Sequence, residues 1–177
     1  MTLENGHIRL RAMEPEDLDL FYRWENDTSM WENSVSFSPY SKYMLKRYVE
    51  QTSNDIYKDG QLRLMIELKE TRETVGCIDL FDFDAFSERA CWGVLIEEQY
   101  RRKGYGIEAL TALSDYCFAT LRLRQLYCKI MESNIACLKM MEKTRFEQCG
   151  VLKSWAKSQS GFRNVYVFQQ INPLLAD

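Results

Sequence analysis

Two periods of hydrophobic and polar positions run along the chain, and together they lay out its elements. In His7–Met13, Ile8, Leu10 and Ala12 alternate with His7, Arg9 and Arg11, which predicts a half-buried strand. Glu14-Pro15-Glu16-Asp17 opens a helix, with proline and acids in its first turn and Leu18, Leu20, Phe21 and Trp24 on its apolar face. No clean period covers 26–40, which reads as an irregular connection or a cover. Ser41–Ser53 predicts a second helix with Met44, Leu45, Tyr48 and Val49 inward. After an Asp59-Gly60 turn, Gln61–Leu68 and Val75–Asp84 form strands around a polar tip at Glu70–Glu73. Ser87–Ile96 is a central strand. Ile107, Leu110, Leu113, Cys117, Phe118 and Leu121 recur at helical spacing and predict a helix over 104–121. A strand at Leu126–Met131, a helix opening at Asn134 and a strand pair (Phe146–Trp155, Phe162–Ile171) about Gln159-Ser160-Gly161 complete the chain. The order βααβββαβαββ predicts an α/β (α+β) fold. It has a mixed central sheet of six to seven strands, about four helices on its two faces, and a single domain over 1–177.

The candidate chemistry starts at Arg101-Arg102-Lys103-Gly104-Tyr105-Gly106, between the central strand and the helix. A helix N-terminus presents free backbone N–H groups to an anion, and glycines let the backbone approach a phosphate closely. Three neighbouring cations add to this, so the loop reads as a pyrophosphate cradle. Gly104 to Ala109 also satisfies G-x-G-x-x-A, but a dinucleotide site needs the loop directly after its strand and an acid about 20 residues on. Here several residues intervene, and the next strand offers Lys129. A nucleoside-triphosphate loop is absent, and the plain alternative is a glycine turn with solvated arginines.

Asp79, Asp82 and Asp84 interrupt an otherwise apolar strand, and period-two alternation keeps all three from sharing one face. At least one is expected to face a cavity or a partner; the alternative is an exposed, twisted strand end.

Composition narrows the partners. The hydrophobic fraction of 46% and charged fraction of 28% are those of an ordinary globular domain. A net charge of −3 disfavours nucleic acid, and its local basic run suits a bound anion. No apolar run approaches the ~20 residues of a membrane span. With no signal-like N-terminus, the expectation is a cytoplasmic protein without membrane contact. Six cysteines show no C-x-x-C pair and are expected to be reduced and mostly buried. With one histidine, no metal site is expected.

The succession strand, R-x-x-G-x-G, helix, strand, Asn134, helix, Phe146 resembles the GCN5-related N-acetyltransferase (GNAT) superfamily. Ile8-Arg-Leu-Arg-Ala-Met-Glu-Pro-Glu-Asp-Leu and Gly161-Phe-Arg-Asn-Val-Tyr-Val-Phe resemble the opening and closing of its ribosomal-protein N-terminal and spermidine N-acetyltransferase branch. The resemblance implies the GNAT acyl-CoA N-acyltransferase fold, acetyl-CoA as co-substrate, and a primary amine as acceptor. That acceptor is a polyamine such as spermidine or, alternatively, a protein N-terminus. It implies that Val94, Leu95 and Ile96 hold the pantetheine and acetyl group, that Arg101, Arg102, Lys103, Gly104, Tyr105 and Gly106 hold the pyrophosphate, and that Asn134 holds the pantetheine arm. Asn134 also reads as a helix N-cap. The family's tyrosine seven residues after the Asn is Met141 here, and a thioether donates no proton. Cys137 occupies the position where the ribosomal-protein branch carries a serine, and is the candidate for stabilising the leaving thiolate; its alternative is a small packing residue. Asp79 is the candidate base, and Glu32 and Asp82 are candidates for holding a cationic acceptor. A non-catalytic acyl-CoA binder and an interaction domain remain as rival classes. A homodimer is compatible with the resemblance.

Overall fold

The computed structural model describes residues 3–29, 38–158 and 161–175. One sheet runs in the order β1-β2-β3-β4-β5-β6-β8-β7. Its strands are β1 (Glu4–Asn5), β2 (Ile8–Ala12), β3 (Leu62–Leu68), β4 (Thr74–Asp84), β5 (Arg89–Ile96), β6 (Gln125–Met131), β7 (Glu147–Ser158) and β8 (Gly161–Ile171). The helices are α1 (Leu18–Glu25), α2 (Lys42–Gln51), α3 (Ile56–Asp59), α4 (Tyr105–Ala119) and α5 (Ile135–Met141). The eighth strand and fifth helix exceed the expected numbers because β1 has two residues and α3 one turn, too short to carry a period. The Asp59-Gly60 turn signal is the end of α3, with Gly60 at φ +69 as its left-handed cap. Gln159 and Ser160 of the expected hairpin tip lie outside the described residues.

Two cores flank the sheet. On one face Ile78, Leu80, Trp92 and Leu126 pack against Leu110, Leu113, Cys117 and Phe118 of α4 and Met141 of α5. On the other, Met65 and Cys77 meet Phe21 and Trp24 of α1 and Leu45 of α2. Central strands therefore have both faces covered, and β3 is buried at Met65 as well as at Leu64 and Ile66. Ser41 caps α2 by accepting from the Met44 N–H at 3.2 Å. Met44 itself is 54% exposed, which corrects its expected inward position; Leu45 carries the core contact. Met141 is 3% exposed and packs in the core that α5 shares with the sheet. All six cysteines are free thiols, four of them buried, with Cys137 half-buried and Cys149 exposed.

The turn before α1 is fixed by charge. Arg11 donates to both oxygens of Asp17 (2.7 and 2.8 Å), to Glu67 (2.7 Å) and to Thr74 (2.8 Å). Asp17 and Glu67 are 4% and 5% exposed. Removing one partner of such a group strands the other charge at a cost of about 3–5 kcal/mol. Asp17→Ala is expected to lower stability by about 3 kcal/mol, read as a lower urea midpoint at unchanged slope.

Candidate active site

The site begins where two neighbouring strands part. Parallel strands β5 and β6 pair at Arg89↔Gln125, Ala90↔Leu126 and Cys91↔Tyr127, and no further. β5 runs on to Ile96 and β6 to Met131. β4 still pairs with β5 as far as Ile96 on its other edge. Burial of β5 changes at the same place: Ala90, Cys91 and Trp92 are buried, whereas Gly93, Val94, Leu95 and Ile96 are half-exposed. The β6-facing N–H groups of Val94 and Ile96 and the Val94 carbonyl are thus left for another partner. An extended chain carrying amides fits that gap as an inserted strand would.

Above the mouth of this gap lies the glycine loop. Gly104 caps α4 at φ +92, a conformation open to glycine, and Arg102 sits at φ +64. Among the described residues, the N–H groups of 102–106 meet no protein acceptor. The Arg101 Nε donates to the Ile96 carbonyl at 2.9 Å, tying the basic run to the end of β5. The Lys103 ammonium lies 5.3 Å from the Tyr100 ring. Tyr105 opens α4, and a Cβ at Gly106 would lie 3.2 Å from Met140 Sδ and 3.7 Å from Ile96. Glycine there keeps α4 and α5 close over the strand. The Arg101–Ile96 bond thus places the 101–106 loop at the end of the β5 segment that carries Val94, Leu95 and Ile96.

Asn134 is the N-cap of α5, the helix whose Met140 meets Gly106. Its Oδ1 accepts from the Cys137 N–H at 3.1 Å, so the cap is realised, and the amide's N–H₂ is a separate donor. Burial pushes the half-buried Cys137 thiol up to about 11. That thiol stays protonated at neutral pH. An ordinary thiol ionises near 8.5, so handing the proton over completely is uphill, while an S–H hydrogen bond to a thiolate is available.

The expected acids separate. Asp79 lies opposite Gly93 of β5, on the α1–α2 face. Both its oxygens accept from Arg63, each at 2.7 Å, and Arg63 also donates to Glu25 at 2.7 Å. The guanidinium lies 4.6 Å from the centre of the Phe21 ring and 6.0 Å from that of Tyr48. Burial opposes the charge on Arg63, but the Asp79 and Glu25 carboxylates outweigh it and hold the group firmly cationic. One cation and two carboxylates leave the cluster with a net charge of −1. Asp82 is exposed at a β4 bulge with φ +48. Its charge acts on Cys91 and Tyr127, away from Arg63. Glu32 lies outside the described residues. Of the three aspartates, Asp79 thus faces a charged partner and not bulk solvent.

Glu25 and Arg63 escaped sequence reasoning. The signal was present: Arg63 falls between Leu62 and Leu64, on the same strand face as Met65, and a cation on an apolar face needs a buried partner. No group of three metal-ligating side chains occurs among the described residues. No described helix is long and apolar enough to cross a membrane.

Known proteins resemble this chain in sequence and in fold. A protein-family model for the acetyltransferase (GNAT) domain matches residues 7–147. The chain is 29% identical over 168 residues to the uncharacterized N-acetyltransferase p20 of Bacillus licheniformis, covering 94% of each. It is 24% identical over 145 residues to the spermidine N(1)-acetyltransferase of Escherichia coli, covering 82% of this chain and 75% of the relative. The crystal structure of Vibrio cholerae spermidine N-acetyltransferase in complex with CoA and spermine superimposes with a TM-score of 0.84 at 18% identity, over 95% of this chain and 97% of the other. The fold is that of these enzymes, acetyl-CoA is the co-substrate, and the chain is an acyltransferase belonging to the GNAT acetyltransferase family.

Proposed function

We propose that this acetyltransferase acts on a primary amine, and that the amine is a polyamine such as spermidine. The observation that carries the reading is the Glu25–Arg63–Asp79 cluster. Its net negative charge sits across one strand rung from Gly93, next to the half-open end of β5. A polycation is attracted there, and an amine is delivered beside the strand that would hold the thioester. The polyamine substrates named for two similar proteins support the same acceptor class.

Aminolysis of a thioester needs the carbonyl polarised, the amine neutral and the thiolate stabilised. In this reading the β6-facing N–H groups of Val94 and Ile96 align the donor and offset the charge that develops on its carbonyl oxygen, while Leu95 between them turns its backbone to β4 and holds the strand in place. The N–H groups of the 101–106 loop, with Arg101, Arg102 and Lys103, hold the pyrophosphate, and Asn134 holds the pantetheine arm. Asp79 keeps a second lone pair on each oxygen and takes the amine's proton, directly or through water. Asp82 holds a distal ammonium of the acceptor. Cys137 hydrogen-bonds the departing thiolate in place of the tyrosine replaced by Met141.

CoA release with an amine panel tests the assignment. Spermidine and spermine are expected to be turned over well above monoamines and above a peptide N-terminus. Turnover of the peptide alone would contradict the polyamine reading, and no turnover of any amine would contradict catalysis. Asp79→Asn is expected to lower kcat/KM for spermidine by roughly 10²-fold or more, the usual worth of a general base, through kcat as well as KM. Unchanged steady-state kinetics would remove Asp79 from both roles. Cys137→Ala is expected to lower kcat about tenfold while Cys137→Ser retains most of it, since serine keeps a donor at that place. Equal loss in both variants would assign Cys137 to packing.

A further inference from the structure

We infer that Trp92 is the floor of the acyl slot and restricts the donor to short acyl groups. This rests on the reading that the gap between β5 and β6 takes an acyl-CoA. Trp92 is the first β5 residue beyond the last shared rung, Cys91↔Tyr127. It is 3% exposed, whereas the next four residues are half-exposed. Its side chain belongs to the core beneath α4 and α5, with Val94 and Ile96 packed against the same cluster. In this inference the acyl slot runs from Gly106 and Ile96 past Val94 to the indole.

The floor is stiff. The Trp92 ring meets Phe146 edge-on, with centroids 5.4 Å apart, and the buried side chain of Cys128 belongs to the same core. Strand geometry puts Val94 and Trp92 about 7 Å apart along β5. With the thioester carbonyl at Val94, that spacing holds a short acyl group over the ring, and a longer chain must displace it. The Trp92 Nε1 is buried and meets no acceptor among the described residues. A buried N–H without a partner is uncommon in folded proteins, and here it belongs to the residue on which the groove ends.

CoA release from acetyl-, propionyl- and butyryl-CoA at saturating spermidine tests this, alongside binding of CoA itself. Wild-type protein is expected to favour acetyl- over propionyl-CoA by roughly tenfold or more, within the usual worth of one methylene in an apolar pocket. Trp92→Leu is expected to bring the two within about threefold and to admit butyryl-CoA. Trp92→Phe keeps a ring against Phe146, so its ratio is expected to fall between the two; it carries the test if the leucine variant does not fold. A wild type indifferent to chain length, or variants that bind CoA normally with the wild-type acyl preference, would overturn the inference. Failure of wild-type protein to bind CoA at all would overturn the acyl-CoA reading beneath it, and the inference with it.

Discussion

Backbone polar groups must find partners, and β5 and β6 stop supplying them to each other after Cys91 and Tyr127. The rest of the site follows from that parting. β4 holds β5 straight on the opposite edge, so the free edge stays extended as far as Ile96. Arg101 then ties the glycine loop to the Ile96 carbonyl, placing the start of α4 over the open end. Gly106 lets α4 and α5 close over the strand, and Trp92 ends the groove. A parallel pair is the natural place for such a gap. Its two strands are joined by a crossover helix, so no tight turn forces them together.

Charge is distributed on the two sides of the sheet in opposite senses. The mouth of the groove carries Arg101, Arg102 and Lys103 at a helix N-terminus, which suits a pyrophosphate. The α1–α2 face carries two carboxylates on one guanidinium, which suits a cation. An anionic donor and a cationic acceptor would thus approach β5 from different sides, separated by the sheet and meeting at its open edge. The chain's net charge of −3 hides this division, because the signs are separated in space.

Much of this was legible in the chain. Ile107, Leu110, Leu113 and Cys117 announce α4, and the glycines before them announce a cradle. The alternation of Leu62, Leu64 and Ile66 announces β3. What a single chain could not display is pairing between strands distant in sequence. Nothing local to Cys91 or Tyr127 says that their rung is the last, since register is set by packing across the whole sheet. The Glu25–Arg63–Asp79 cluster is similar: its members lie on α1, β3 and β4, and only the fold brings them within hydrogen-bond distance. Met44 turns outward because the apolar stripe of α2 is wider than the core it covers, and Leu45 and Tyr48 fill that contact.

The most direct test of the account is thermal unfolding with and without acetyl-CoA, beside the same pair of runs on Gly104→Glu. A ligand at about 100 times its Kd adds about 2.7 kcal/mol of stability, roughly 5–10 °C for a chain of this size. Each protein is read against its own ligand-free midpoint, because any side chain at φ +92 strains the loop. An upward shift of that order is expected in the wild type and none in the variant, whose carboxylate would face the phosphates. No shift in the wild type, or an equal shift in both, would contradict the claim that the parted strands and their glycine loop form the acetyl-CoA site.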